Sequence, residues 1–404
     1  MSAMQSLDLC LACHSPLPSR IVNFGKQPPA NAVHDNTEEL PEFPLALKFC
    51  EHCSHLQLSH AVDPSLLFSH YLYVSGTTST LREHFNWIYT QVTETCPRGR
   101  VLDIGCNDGT QLEVFQSHGW DVIGVDPASN LAERCHKKQI PVIVDFWGTR
   151  AAAQVGKVSC IIAQNVFAHT SHVDEFLEAC QNVLEDGGRL YIQTSQADMV
   201  RNNEFDTIYH EHISYFTIKS MLALTHRLGW TIEKISKPAI HGTSFLFELQ
   251  YHHEGVYFRP TVYEQYCEEF STGVHFPRRL REYAATIDTT REWLDNELAI
   301  WTKRGYHIIA YGATAKSMTI LNSLERNHIN CFIDENPLKQ GKFTPHHNVP
   351  IVAPDYTLPP RTLIVMTAWN FAAEVLEKLR HRSDVTPDTQ ILYYAPTPKV
   401  ETLL

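Results

Sequence analysis

The run Arg100-Val-Leu-Asp-Ile-Gly-Cys-Asn-Asp-Gly109 constrains this chain more than any other. A short apolar stretch enters a glycine-punctuated turn, and the amphipathic segment Thr110 to His118 follows, so the order reads strand, turn, helix. Glycine lets the backbone of such a turn approach a ligand closely, and the next helix presents its N-terminus there. The unit then recurs. Asp121-Val-Ile-Gly-Val125 reads as a second strand ending at Asp126, and a helix is expected near Ser129 to Lys138. Val142-Ile-Val144, Ser159 to Gln164, Val173 to Leu184 and Arg189 to Thr194 continue the alternation. Strands alternating with helices at this spacing predict an open, mostly parallel α/β sheet.

The same pattern restarts downstream. Tyr251 to Pro277 is aromatic and acidic, and Arg278 to Lys303 reads as one long amphipathic helix. His307-Ile-Ile-Ala-Tyr311 then leads through Gly312-Ala-Thr-Ala-Lys316 into Ser317 to Leu324, and Asn330 to Ile333 resembles a second strand with Asp334 at its tip. Thr362 to Met366 and Gln390 to Tyr394 supply later strands. A chain of 404 residues exceeds one ordinary domain. Residues 1–75, 76–250 and 251–404 are expected to form an amino-terminal domain, a central α/β domain and a carboxyl-terminal α/β domain. The formal net charge of −12 disfavours nucleic acid as a partner. No apolar run reaches the length of a membrane span and no secretory signal opens the chain, so a cytoplasmic protein without a membrane partner is expected. Assembly is not legible; a monomer is the working expectation.

Eleven cysteines, an odd number, argue against a complete disulfide framework. Four stand as two C-x-x-C pairs, Cys10 with Cys13 and Cys50 with Cys53, and seven are scattered singly. Two such pairs in a short segment suit a tetrahedral thiolate cage for structural Zn²⁺. The segment between them, with Pro28, Pro29, Pro41 and Pro44, offers little core of its own, so metal would supply folding energy. A redox dithiol is the alternative, but no βαβ pattern surrounds these cysteines. His14, His52 and His55 could substitute as ligands.

The glycines of Asp103-x-Gly105-x-x-x-Gly109 lack the G-x-G-x-x-G spacing of dinucleotide folds. The loop instead resembles motif I of the class I S-adenosylmethionine methyltransferases; an ordinary turn without a ligand is the alternative. The resemblance implies that Asp103, Gly105, Asn107 and Gly109 lie beside the amino acid part of the methyl donor. It gives Asp126 the ribose hydroxyls and lets Phe146 cover the adenine ring. A second cluster is Ile208-Tyr-His-Glu-His-Ile-Ser-Tyr-Phe216, which gathers Tyr209, His210, Glu211, His212 and Tyr215. It lacks the H-E-x-x-H metal spacing, and histidine suits proton abstraction near neutral pH. Metal ligation and a structural polar core are the alternatives.

Taken in order, the cysteine pairs, Tyr73-x-Ser75, the glycine loop, Asn165-Val-Phe-Ala-His169, the Tyr-His-Glu-His block, Ala310-Tyr-Gly-Ala-x-x-Lys316, Asp334-x-Asn-Pro-x-Lys-Gln-Gly341 and Ala368-Trp-Asn-Phe371 resemble the deoxysugar C-methyltransferases. Those enzymes methylate a ring carbon of nucleotide-linked 4-keto-6-deoxyhexoses. The resemblance covers essentially the whole chain. It implies a zinc-binding domain, a class I methyltransferase domain with a Rossmann-like sheet, and a Rossmann-like domain helping to hold the sugar nucleotide. It implies His212 as the base that forms an enolate, Glu211 as its orienting partner, and Tyr209, His169 and Tyr73 as donors. Asn165 would serve the methyl donor; Tyr215, Ser75, Lys316 and Lys342 would serve the substrate, the two lysines as candidate phosphate contacts with a solvated surface role as the alternative. Two departures stand out: Gln193-Thr-Ser195 lacks a carboxylate that the family often carries, and Gly242-Thr-Ser-Phe-Leu246 lacks an arginine.

Overall fold

The structure is a computed structural model describing residues 3–17, 20–35, 39–69, 71, 74–77, 79–194, 198–238, 240, 243–252 and 255–403. The chain divides into two compact units, one of Met1–Ser19, Lys48–Ala197 and His212–Phe276, the other of Arg20–Leu47, Asp198–Glu211 and Pro277–Leu404.

The first unit is organised by a seven-stranded sheet. Its strands are β1 (Arg100–Ile104), β2 (Asp121–Val125), β3 (Val142–Ile143), β4 (Val158–Gln164), β5 (Leu184–Thr194), β6 (Trp230–Ser236) and β7 (Phe245–Tyr251). They lie in the order β3-β2-β1-β4-β5-β7-β6, and β7 runs antiparallel to both β5 and β6. The remaining pairings are parallel, as the alternation predicts. Val101, Leu102 and Ile104 of β1, and Ile161, Ile162 and Ala163 of β4, are buried, which fits a sheet covered on both faces. Strand order reverses between β1 and β4, where open α/β sheets place their ligands beyond the carboxyl ends of the strands. This arrangement is that of a class I methyltransferase sheet and bears out the expected fold class. The antiparallel β6–β7 pair is a feature the alternation alone does not announce.

The four paired cysteines meet in the same unit. Their sulfur atoms all lie within 4.8 Å of one another. Both knuckles repeat one backbone pattern. Cys10 N donates to Ser15 O and His14 N to Cys10 O, while Cys50 N donates to His55 O and Ser54 N to Cys50 O. His14 and Ser54, each next to a second cysteine, take φ values of +61° and +62°, a conformation that non-glycine residues seldom adopt. Hydrogen bonds from Cys10 and Cys53 hold the Cys50 thiol far below its ordinary range, whereas the same contact with Cys50 pushes Cys10 up to about 12. One thiolate is therefore accommodated, but four need a cation, and the set fits Zn²⁺. His55 is fully buried between the hydroxyls of Ser214 and Ser220, and burial lowers its pKa to about 3; it packs rather than ligates. Arg227 fastens one knuckle to the sheet's helices, donating to Ala12 O and to both oxygens of Asp174.

The second unit carries a six-stranded sheet of β8 (His307–Tyr311), β9 (Cys331–Ile333), β10 (Ile351–Val352), β11 (Thr362–Met366), β12 (Gln390–Tyr393) and β13 (Lys399–Thr402). Its order is β10-β9-β8-β11-β12-β13, parallel except for β13. The strand order again reverses beside the first strand, between β8 and β11. The long helix Pro277–Lys303 buries Leu280, Tyr283, Ile287, Leu294 and Leu298 along one stripe. The segment between the cysteine pairs differs from expectation. It contributes strand Arg20–Gln27 and buries Leu45, Ala46 and Leu47, so it is ordered even though its prolines suggest little core of its own.

Metal dependence follows from the thiol cluster. Purified protein should contain about one equivalent of zinc, and cobalt substitution should give the absorption of a tetrahedral thiolate site. Chelation or Cys50→Ser should lower the melting temperature of the first unit, which differential scanning calorimetry would show.

Candidate functional site

The glycine loop after β1 is shaped by its backbone. Gly105 has φ +72°, and a Cβ there would stand 3.2 Å from the Val166 side chain. Gly109 has φ +75° and opens the helix Thr110–Ser117. Asn107 sits between them at φ +51°, its N–H donating to Asp126 Oδ2 at 2.9 Å. Asp126 Oδ1 accepts from Ala128 N at 2.9 Å, so one carboxylate pins both its own turn and the glycine loop. Asn107 Oδ1 in turn accepts from Ser75 N at 3.0 Å, joining Ser75 to the loop. Burial, with the neighbouring Asp126 charge, pushes the Asp103 carboxyl well above the usual carboxylate range, and burial raises Asp126 too. A cation at this spot would hold both ionised. S-adenosylmethionine carries a sulfonium and an ammonium, so these residues fit it.

The carboxyl ends of β4 and β5 point to the same crevice. Asn165 Oδ1, His169 Nε2, Gln193 Nε2 and Thr194 Oγ1 are buried without a hydrogen-bond partner among the described residues. Such groups are costly unless something polar arrives. Asn165 Oδ1 offers an acceptor for an amino group. Behind them runs a network that sequence reading misses: His84 Nε2 lies 2.7 Å from Gln193 Oε1, and Gln164 Nε2 donates to Gln111 Oε1 at 3.0 Å. Gln193, noted in the sequence only for lacking a carboxylate, is thus a buried neutral partner of His84. No periodicity marks such a network, because its members come from four separate elements.

His169 lies in the turn Phe167–His169 after β4. Its ring stacks on Phe68 at 5.4 Å and on His212 at 5.1 Å. Burial lowers its pKa to about 4, so it is neutral near pH 7. Ile213 N donates to Ala168 O at 2.8 Å, which fixes His212 beside the turn. Tyr215, buried in the short strand Ser214–Tyr215, presents its ring edge to His212 at 6.3 Å.

The remaining expected residues fall elsewhere. Tyr209 and Glu211 belong to the second unit, so the boundary crosses the Tyr-His-Glu-His block between Glu211 and His212. There Glu211 Oε1 accepts from Asn31 Nδ2 at 2.7 Å, and His210 Nε2 lies 3.1 Å from Phe43 O. Lys316 Nζ stands 3.8 Å from Asp206 Oδ1, and Lys342 Nζ pairs with Asp35 at 2.5 Å. Phe146 is 36% exposed beyond β3, while the adjacent Asp145 is paired with Arg150. Tyr73 lies outside the described residues. In the departures, so do Ser195 and Gly242.

The Asp126 clamp yields a direct expectation. Asp126→Asn removes the charge from two backbone hydrogen bonds, and the donor should bind about 10- to 100-fold more weakly by calorimetry while zinc content stays the same.

Comparison with known proteins agrees with this geometry. The chain matches the family models "Putative zinc binding domain" over residues 10–68, "Methyltransferase domain" over 85–235 and "C-methyltransferase C-terminal domain" over 239–393. It is 29% identical over 393 residues to the C-methyltransferase NovU of Streptomyces niveus, covering 93% of this chain and 92% of the relative. A ubiquinone biosynthesis O-methyltransferase of Chelativorans sp. (strain BNC1) is 32% identical over 100 residues, 24% of this chain and 40% of that one. A crystal structure of magnesium protoporphyrin IX methyltransferase from Synechocystis PCC 6803 with bound S-adenosylmethionine aligns with TM-score 0.33 and 14% identity, over 42% of this chain and 79% of that one. The resemblance read from the sequence is borne out: this chain is an S-adenosylmethionine-dependent methyltransferase with an amino-terminal zinc-binding domain, and a relative of the C-methyltransferases.

Proposed function

We propose that the chain methylates a ring carbon, C3, of a nucleotide-linked 4-keto-6-deoxyhexose, in the making of a branched deoxysugar. One observation carries this reading beyond methyl transfer in general: half-buried His169 stacked on buried His212 at 5.1 Å, in the unit that holds the donor loop. Transfer to oxygen or nitrogen needs no strongly assisted carbon acid. Transfer to carbon does, because a C–H beside a ketone must first lose its proton. The gap between such a C–H and an imidazole is about a dozen pKa units, at 1.36 kcal/mol each. No base closes that gap alone; the oxygen of the forming enolate needs donors fixed in advance.

His212 is the proposed base. Neutral His169, whose buried Nε2 has no partner among the described residues, can donate a hydrogen bond to an enolate oxygen in one tautomer. Glu211 is proposed to orient the block, and Tyr209 and Tyr73 to donate to the sugar. When bound, S-adenosylmethionine supplies an electrophilic methyl group; Asp103, Asn107, Asp126 and Asn165 are proposed to hold it, with Phe146 over its adenine. Tyr215 and Ser75 are the proposed sugar contacts in the first unit. Lys342 in the second is a candidate phosphate contact that would have to leave Asp35. The C-methyltransferase relative, aligned over 93% of this chain, favours carbon over a heteroatom as acceptor.

The test is mass spectrometry of TDP-, GDP- and UDP-linked 4-keto-6-deoxyhexoses incubated with S-adenosylmethionine and zinc-loaded protein. The expected result is the mass gain of one methylene on one of them, with fragmentation placing the methyl on carbon. Donor binding without a mass gain on any of them, or a methyl on oxygen, would overturn the reading.

A further inference from the structure

In the second unit, three side chains converge on one buried carboxylate that the sequence does not single out. Asp206 Oδ2 accepts from Trp369 Nε1 at 2.6 Å and from Tyr394 Oη at 3.1 Å. Its Oδ1 stands 3.8 Å from Lys316 Nζ, and that ammonium lies 4.9 Å from the centre of the Trp369 ring. The Asp206 side chain is 2% accessible. Its three partners come from three separate segments that follow strands of the sheet. Lys316 follows β8 at the start of the helix Ala315–Leu321, Trp369 lies in the turn after β11, and Tyr394 directly follows β12.

These segments form the carboxyl edge of the sheet where strand order reverses between β8 and β11. That is the place where open α/β sheets take an anionic or polar ligand. Here a ligand-like carboxylate already occupies it, and the carboxylate belongs to the protein itself. Asp206 stands three residues before Tyr209, and the stem around it is held at further points. Tyr283 Oη donates to Glu204 O at 2.7 Å, Arg279 to Asn203 Oδ1 at 2.8 Å, and Thr319 Oγ1 to Ile208 O at 3.1 Å. A segment with almost no regular structure of its own is therefore fixed from the second sheet.

We propose that Asp206 is a positioning residue, an internal ligand of the second α/β unit that sets the placement of Tyr209 and Glu211. The Lys316–Trp369–Tyr394 edge is thus a receptor for the stem of the reacting block and not a phosphate site. The proposal rests on the role given to that block above. It assigns the second unit a task besides holding the sugar nucleotide, and it explains why Lys316 faces a carboxylate.

Hydrogen–deuterium exchange and steady-state kinetics on the full zinc-loaded chain test it, with Asp206→Ala, Asp206→Asn, Lys316→Met and the double variant Asp206→Asn/Lys316→Met. In Asp206→Ala, exchange should rise about tenfold in peptides covering 198–211 while β8, β11 and β12 stay protected. The kcat should fall about 100-fold, with the affinity for S-adenosylmethionine unchanged. The double variant, which removes both charges together, should recover activity relative to Lys316→Met, which leaves the carboxylate buried without its cation. Exchange rising equally across the second sheet would make Asp206 a general stability residue and overturn the proposal; so would unchanged exchange at 198–211. The exchange result stands even if the wild-type chain methylates none of the keto sugars, so failure of the substrate reading is seen separately.

Discussion

A carboxylate at the tip of a second strand, accepting two backbone N–H groups, sets the working edge of both sheets. Asp126 takes Asn107 N and Ala128 N, each at 2.9 Å. Asp334 takes Ala313 N at 2.7 Å and Asn336 N at 2.8 Å. Each clamp is doubled by a ladder bond into the glycine turn, Gly105 N to Val125 O and Gly312 N to Ile333 O, both 2.8 Å. Burying a carboxylate is costly unless donors meet it, and these backbone donors do so while fixing the turn that bends toward the ligand. In the first unit, burial still outweighs them and leaves the Asp126 pKa raised. In the second unit, the neighbouring edge is closed by Asp206. One backbone device thus supports two different uses.

The Tyr-His-Glu-His block follows from that difference. Within it, His210 meets Phe43 O and Glu211 meets Asn31 in the second unit, while His212 stacks on His169 in the first. Proton abstraction from carbon tolerates little misplacement of the base, so a short, irregular segment must be held from outside itself. Buried His210, its pKa lowered to about 4 by burial and its ring against Phe43 O, serves that anchoring and not proton transfer near neutral pH. The two histidines that flank Glu211 therefore have separate tasks, one structural and one proposed as chemical.

What was legible in the sequence was what local periodicity and composition carry. The β1 strand, its glycine loop and Asp126 follow from apolar runs and turn residues, and the four cysteines from spacing alone. The second sheet was legible for the same reason, because β8 restarts the pattern. The hairpin of β6 and β7 was not, since Trp230-Thr-Ile-Glu-Lys-Ile-Ser236 carries charge on a strand that only its neighbour completes. Lys316 is a candidate phosphate contact in the sequence; its counter-charge lies 110 residues earlier, at Asp206, where no local signal exists. The His84–Gln193 contact was illegible for the same physical reason, a hydrogen bond between residues 109 apart in the chain.

The most direct measurement is proton exchange at the carbon to be methylated, followed by nuclear magnetic resonance. The nucleotide-linked 4-keto-6-deoxyhexose is incubated in deuterium oxide with the enzyme and S-adenosylhomocysteine, so that the proton can leave while no methyl can arrive. The account predicts deuterium at C3 with the wild-type chain, and at least about a 100-fold slower uptake with His212→Asn, whose donor affinity is unchanged. Equal uptake by the two proteins would contradict His212 as the base, and no uptake by the wild type beside active methyl transfer would contradict the carbon-acid mechanism itself.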